Sequence, residues 1–161
     1  MLQIETTKFV ITAFESSCLM VTSTFNLLPI LFALHKYLLF YASTSFGTGF
    51  FSLLYWRNPV HGWRRTADLY YAKYSFVVYL LSGMYCIPFG RPSLILYLGA
   101  TSIGITYYMT YVFPKIWIAF HITFHLLSIF MKLYILFYIG EHYSYSYSYI
   151  QENCLPTVET V

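Results

Sequence analysis

The chain has 161 residues, of which 58% are hydrophobic and 9% charged, with a formal net charge of +3. A water-soluble domain carries about 25% charged residues, so this composition leaves too little charge to wet a globule and points to lipid as the missing solvent. The basic residues sit at loop edges rather than in a patch, which argues against nucleic acid as a partner.

The opening MLQIETTKF lacks a basic segment followed at once by an apolar core, so no removable signal peptide is expected and the first apolar span acts as its own targeting signal. A membrane helix needs about 20 mostly apolar residues. The first such span runs from about Val10 to Leu34, with Glu15 placed near an interface and a kink expected at Pro29, which lacks a backbone donor. After His35 and Lys36, a second span covers about Tyr37 to Trp56. Its middle, ASTSFGTGF, is rich in small residues that let a neighbouring helix approach closely.

The loop that follows carries Arg57, His61, Trp63, Arg64 and Arg65. Trp56 and Trp63 bracket it as interfacial rings. A third span runs from about Asp68 to Ile87, with Lys73 snorkelling outward. The PFGRP sequence at residues 88–92 is a turn. The fourth span, Ser93 to Phe113, again has closely spaced small residues at Gly99, Ala100, Ser102 and Gly104, and ends at Pro114. The fifth, about Ile116 to Ile139, contains His121, His125, Ser128 and Lys132.

From residue 141 the chain turns polar. The alternation YSYSYSY at residues 143–149 fits either a short strand or disorder. The predicted organisation is therefore an all-α, polytopic membrane bundle of about five transmembrane helices over residues 1–140, with a disordered Tyr/Ser-rich tail at 141–161. Three widely spaced cysteines, Cys18, Cys86 and Cys154, read as free thiols rather than a disulfide framework. The positive-inside rule puts the Arg57–Arg65 loop and the amino terminus in the cytoplasm.

Ionisable groups within spans are costly and mark functional sites by default. Helix parity places the end of the second span and the starts of the third and fifth at one membrane face, so Ser52, Asp68, His121 and His125 can meet in one layer. His35 lies at the other face. His121 and His125, four residues apart, share a helical face at a spacing that suits one zinc ion, or an interhelical hydrogen-bonding pair. Asp68 either opens its helix, with Arg64 one turn back as a partner, or orients a metal-bound water.

A serine near the end of one span, an aspartate opening the next and HxxxH in the last span resemble the CREST superfamily of membrane hydrolases, which includes alkaline ceramidases and adiponectin-receptor proteins. The segments that carry the likeness are SLLYW, RRTAD and HITFHLLS. The resemblance implies a zinc-activated water, held by His121 and His125 with Ser52 and Asp68 as catalytic partners, attacking a lipid amide. The family is built on seven helices and places a zinc-binding histidine four residues after the serine, where this chain has Trp56. His61 and Asp68 are the remaining candidate third ligands.

Three functions follow. The favoured one is a non-enzymatic or degenerate CREST-like bundle that packs with the lipid bilayer and other membrane proteins through its small-residue faces. The alternative is a zinc-dependent intramembrane hydrolase acting on a lipid amide. A channel or transporter would need a polar path through the bilayer, whereas the polar groups are expected to cluster at one face.

Overall fold

A computed structural model describes residues 11–59 and 62–154, and side-chain surroundings through residue 144. The described regular structure is entirely helical: α1 (Ala13–Thr24), α2 (Leu27–His35), α3 (Leu39–Trp56), α4 (Trp63–Cys86), α5 (Arg91–Val112) and α6 (Trp117–Cys154). Two segments, Ala13–His35 and Trp117–Ser144, are long and apolar enough to cross a membrane.

Local chemistry sets the boundaries. Thr12 and Glu15 form a reciprocal capping box at the start of α1, satisfying two backbone donors that a helix start leaves open. Glu15 thus stands at a helix end. The expected kink falls at Phe25–Asn26, one turn before Pro29, because a proline ring displaces the carbonyl four residues earlier. The Phe25 carbonyl accepts instead from the Leu28 N–H, at 3.0 Å. Between α2 and α3, Tyr37 adopts φ +56° and the Leu38 N–H closes back on the Ala33 carbonyl at 2.8 Å. Gly90, at φ +130°, reverses the chain before α5, where the Ser93 hydroxyl accepts from the Gly90 N–H.

Helix α6 is the centre of the bundle and touches α1, α2, α4 and α5, while α3 packs on α1, α2 and α4. The main core joins Ala33, Ala42, Tyr79, Leu96, Met131 and Leu136. A smaller cluster of Leu19, Tyr55 and Trp56 lies where α1 and α6 begin and α3 ends. There the Ser16 hydroxyl donates to the Trp56 carbonyl.

Two expectations change. Helix α6 runs on to Cys154, so the Tyr/Ser alternation is helical rather than a strand or disordered. No proline follows Gly140 until Pro156, and a helix already nucleated extends at little cost. The small-residue faces are also used largely within the chain. A Cβ at Gly47 would come within 2.7 Å of the Tyr71 ring, and one at Gly99 within 2.3 Å of the Met131 sulfur. Only the Ser102 and Gly104 end of the α5 stripe is exposed. Gly99→Leu is accordingly expected to overpack the α5–α6 contact and cost about 2 kcal/mol, measured as a lower unfolding midpoint in detergent. Gly104→Leu, with nothing near its Cβ position, should leave the midpoint unchanged.

Candidate functional site

Between α4, α5 and α6 lies a cavity of about 490 Å³. Helices α4 and α5 touch each other only over a short stretch, and exposed Phe76, Val77 and Gly104 are among the lining residues, so the cavity opens laterally between these two helices. The walls are mainly apolar, with Leu80, Ile103, Phe124 and Ile135 among them, but Ser52, Asp68, His121 and His125 all line it as well.

Spacing explains the polar lining. On α4, Asp68, Ser75 and Tyr79 stand at steps of seven and four residues. On α6, His121, His125, Ser128 and Lys132 stand at steps of four, three and four. Both series keep to one helical face, and all seven residues face the cavity.

At the end where α3 finishes and α6 begins, the Asp68 carboxyl is hydrogen-bonded to Ser52. The Ser52 hydroxyl is 2.9 Å from that of Ser23, and the Ser23 hydroxyl donates to the Leu19 carbonyl at 2.7 Å. Arg64, offered by spacing as a partner for Asp68, lies instead over the Trp63 ring at 5.7 Å. The His121 and His125 rings are 4.9 Å apart between centroids. Trp56 presents its ring edge-on to His121 at 5.2 Å, and Trp117 flanks the same imidazole at 5.9 Å. Trp56 is buried, and its indole N–H has no hydrogen-bond acceptor among the described residues. Among the described residues no three His, Cys, Asp or Glu side chains are grouped to hold a metal ion. His61 lies outside the described residues.

The polar groups do not stop at that end. The Asn26 side-chain amide donates to the Ser23 carbonyl at 3.1 Å, and its Oδ1 accepts from Lys132 Nζ at 3.1 Å. Lys132 is buried, with Nζ 5.6 Å from the centre of the Tyr79 ring. The Tyr79 hydroxyl is held by Ser45 at 2.8 Å and donates to the Tyr41 carbonyl. A polar seam therefore runs from Asp68 through Ser52, Ser23 and Asn26 to Lys132, joining α4, α3, the α1–α2 break and α6. The expectation that polar groups cluster at one face is too narrow.

Sequence spacing brings Ser52, Asp68, His121 and His125 to the same cavity, but gives no weight to Asn26, Ser75 or Tyr79 and leaves Lys132 without a role. The matching polar steps on α4 and α6 were the available signal for Ser75, Tyr79 and Lys132. Compared with known proteins, the chain matches no family model, no curated protein and no solved structure.

Proposed function

We propose that the chain is a multi-pass integral membrane bundle, CREST-like in the arrangement of Ser52, Asp68, His121 and His125 but non-enzymatic, which associates with other membrane components. The observation that carries this reading is Trp56. It stands four residues after Ser52, where the family has its third zinc-binding nitrogen, and its ring is packed against His121. An indole N–H can donate a hydrogen bond but offers no lone pair to a metal, and a catalytic zinc centre takes three protein ligands. Among the described residues no third His, Cys, Asp or Glu side chain is grouped with the two imidazoles to complete that set.

The outer surface supports the membrane. Phe14, Leu31, Leu39, Leu81, Leu98 and Phe130 are large apolar side chains more than half exposed, one on each of the six helices, far beyond the single apolar patches that soluble monomers show. The lengths of α3, α4 and α5, at 18, 24 and 22 residues, fit three further crossings beside the two apolar spans. Trp63, 64% exposed at the start of α4 beside the basic loop, suits an interfacial ring, and the excess of arginine in that loop favours a cytoplasmic side.

Zinc analysis of the detergent-purified chain tests the reading. Both wild-type protein and a His121→Ala/His125→Ala variant are expected to carry less than stoichiometric zinc and to leave lipid amides intact. Stoichiometric zinc in the wild type, with amide cleavage lost in Asp68→Ala, would establish the hydrolase instead. Retention in the membrane pellet after alkaline carbonate washing tests the integral insertion separately.

A further inference from the structure

We propose that the Lys132 end of the cavity binds the carboxylate of a single-chain lipid, with the hydrocarbon tail lying in the apolar cleft between α4 and α5. Lys132 is only 6% exposed. Its ammonium has three donors, of which the structure commits one to Asn26, with the Tyr79 ring face beside it. Asp68 stands eleven residues before Tyr79 on α4, about 16 Å along the helix axis, and is bonded to Ser52. It does not neutralise this lysine.

Ser75 supplies the second, independent observation. Its side chain is 1% exposed and lines the cavity, yet its hydroxyl has no hydrogen-bond partner among the described residues. It sits one turn, about 6 Å, from Tyr79 on the same face of α4. A buried hydroxyl left unpaired costs free energy, and a cationic donor held inside an apolar cavity costs more unless an anion meets it. One ammonium and one hydroxyl match the single charge and two oxygens of a carboxylate, whereas a phosphate headgroup would bring more charge and more acceptors than these donors answer.

Size and access select the rest of the ligand. A cavity of about 490 Å³ is in the range that holds a drug-sized molecule and is far too large for a small anion. Its lining of Phe76, Leu80, Leu96, Ile103, Phe124 and Ile135 suits an alkyl chain. The lateral opening between α4 and α5 lets such a chain enter from the lipid phase. The proposal rests on the membrane reading for that route of entry, but not on any metal.

The test is equilibrium binding of labelled oleate to the full chain in detergent, with oleyl alcohol, methyl oleate and acetate as competitors. Wild-type protein is expected to bind oleate saturably, with the alcohol and the ester at least about tenfold weaker and acetate without effect. Lys132→Met should weaken oleate binding about tenfold or more, and Ser75→Ala several-fold. Lys115→Met, at an exposed lysine outside the cavity lining, should leave it unchanged. Oleyl alcohol competing as well as oleate would overturn the proposal and needs no variant. Retained oleate binding in Lys132→Met, displacement by acetate at parity, or loss of binding in Lys115→Met would each do the same. Release of the chain by carbonate washing would instead sink the membrane reading, which the binding assay does not measure.

Discussion

Asn26→Leu is expected to destabilise the bundle by about 3 kcal/mol, and adding Lys132→Met should return most of that loss. The amide oxygen of Asn26 accepts from Lys132 Nζ at 3.1 Å, and both side chains are buried. Removing the acceptor strands an ammonium in a low-dielectric interior, and breaking a buried charged contact from one side costs about 3–5 kcal/mol. Replacing the charged group itself by an apolar side chain of similar length is near neutral. Unfolding midpoints of the two single variants and the double variant in detergent close a double-mutant cycle, and a coupling below about 0.5 kcal/mol would show that Asn26 does not hold Lys132.

Trp56→His is expected to turn the chain into a zinc protein. The new imidazole would stand beside His121, whose ring the tryptophan now meets edge-on at 5.2 Å, and would raise the nitrogen donors there from two to three. Losing the buried indole should lower stability by about 3 kcal/mol in the absence of metal, and zinc should restore it, because binding energy at such a site is also folding energy. The indole N–H has no acceptor to lose among the described residues, so the deficit comes from packing. Metal content near one zinc per chain, with a zinc-dependent rise in melting temperature absent from the wild type, is the expected result. A variant that melts lower and ignores zinc would mean that residue 56 does not stand at a ligand position.

Much of the helical order was legible because its punctuation is chemical. Proline and glycine at 88–92, and proline at 114, end helices wherever they fall. The break in the first apolar span was displaced rather than missed: Pro29 announces a disruption, but the strain falls on the carbonyl of Phe25, a turn away. The continuation of α6 through residues 143–149 was not legible, because an alternating Tyr/Ser pattern describes side chains and says little about whether the preceding helix continues. Small residues on α3 and α5 signal close packing, yet nothing in their spacing says whether the neighbour is another chain or Tyr71 and Met131 of this one.

The candidate site divides in the same way. Ser52, Asp68, His121 and His125 were brought together by helix parity, which depends only on counting crossings. Asn26 joins Lys132 across 106 positions of sequence, through a helix break whose location spacing did not give. Ser75 is an ordinary serine until the structure shows its hydroxyl buried and unanswered.

The length of α6 has a mechanical consequence. Its 38 residues form an unbroken rod of about 57 Å, much longer than a bilayer core of about 30 Å. The segment bearing His121, His125 and Lys132 is thus continuous with the stretch beyond Gly140. A tilt of about five degrees pivoting at Lys132 would carry Cys154, about 33 Å further along, through roughly 3 Å. A small tilt within the bundle is thus amplified at the far end of α6.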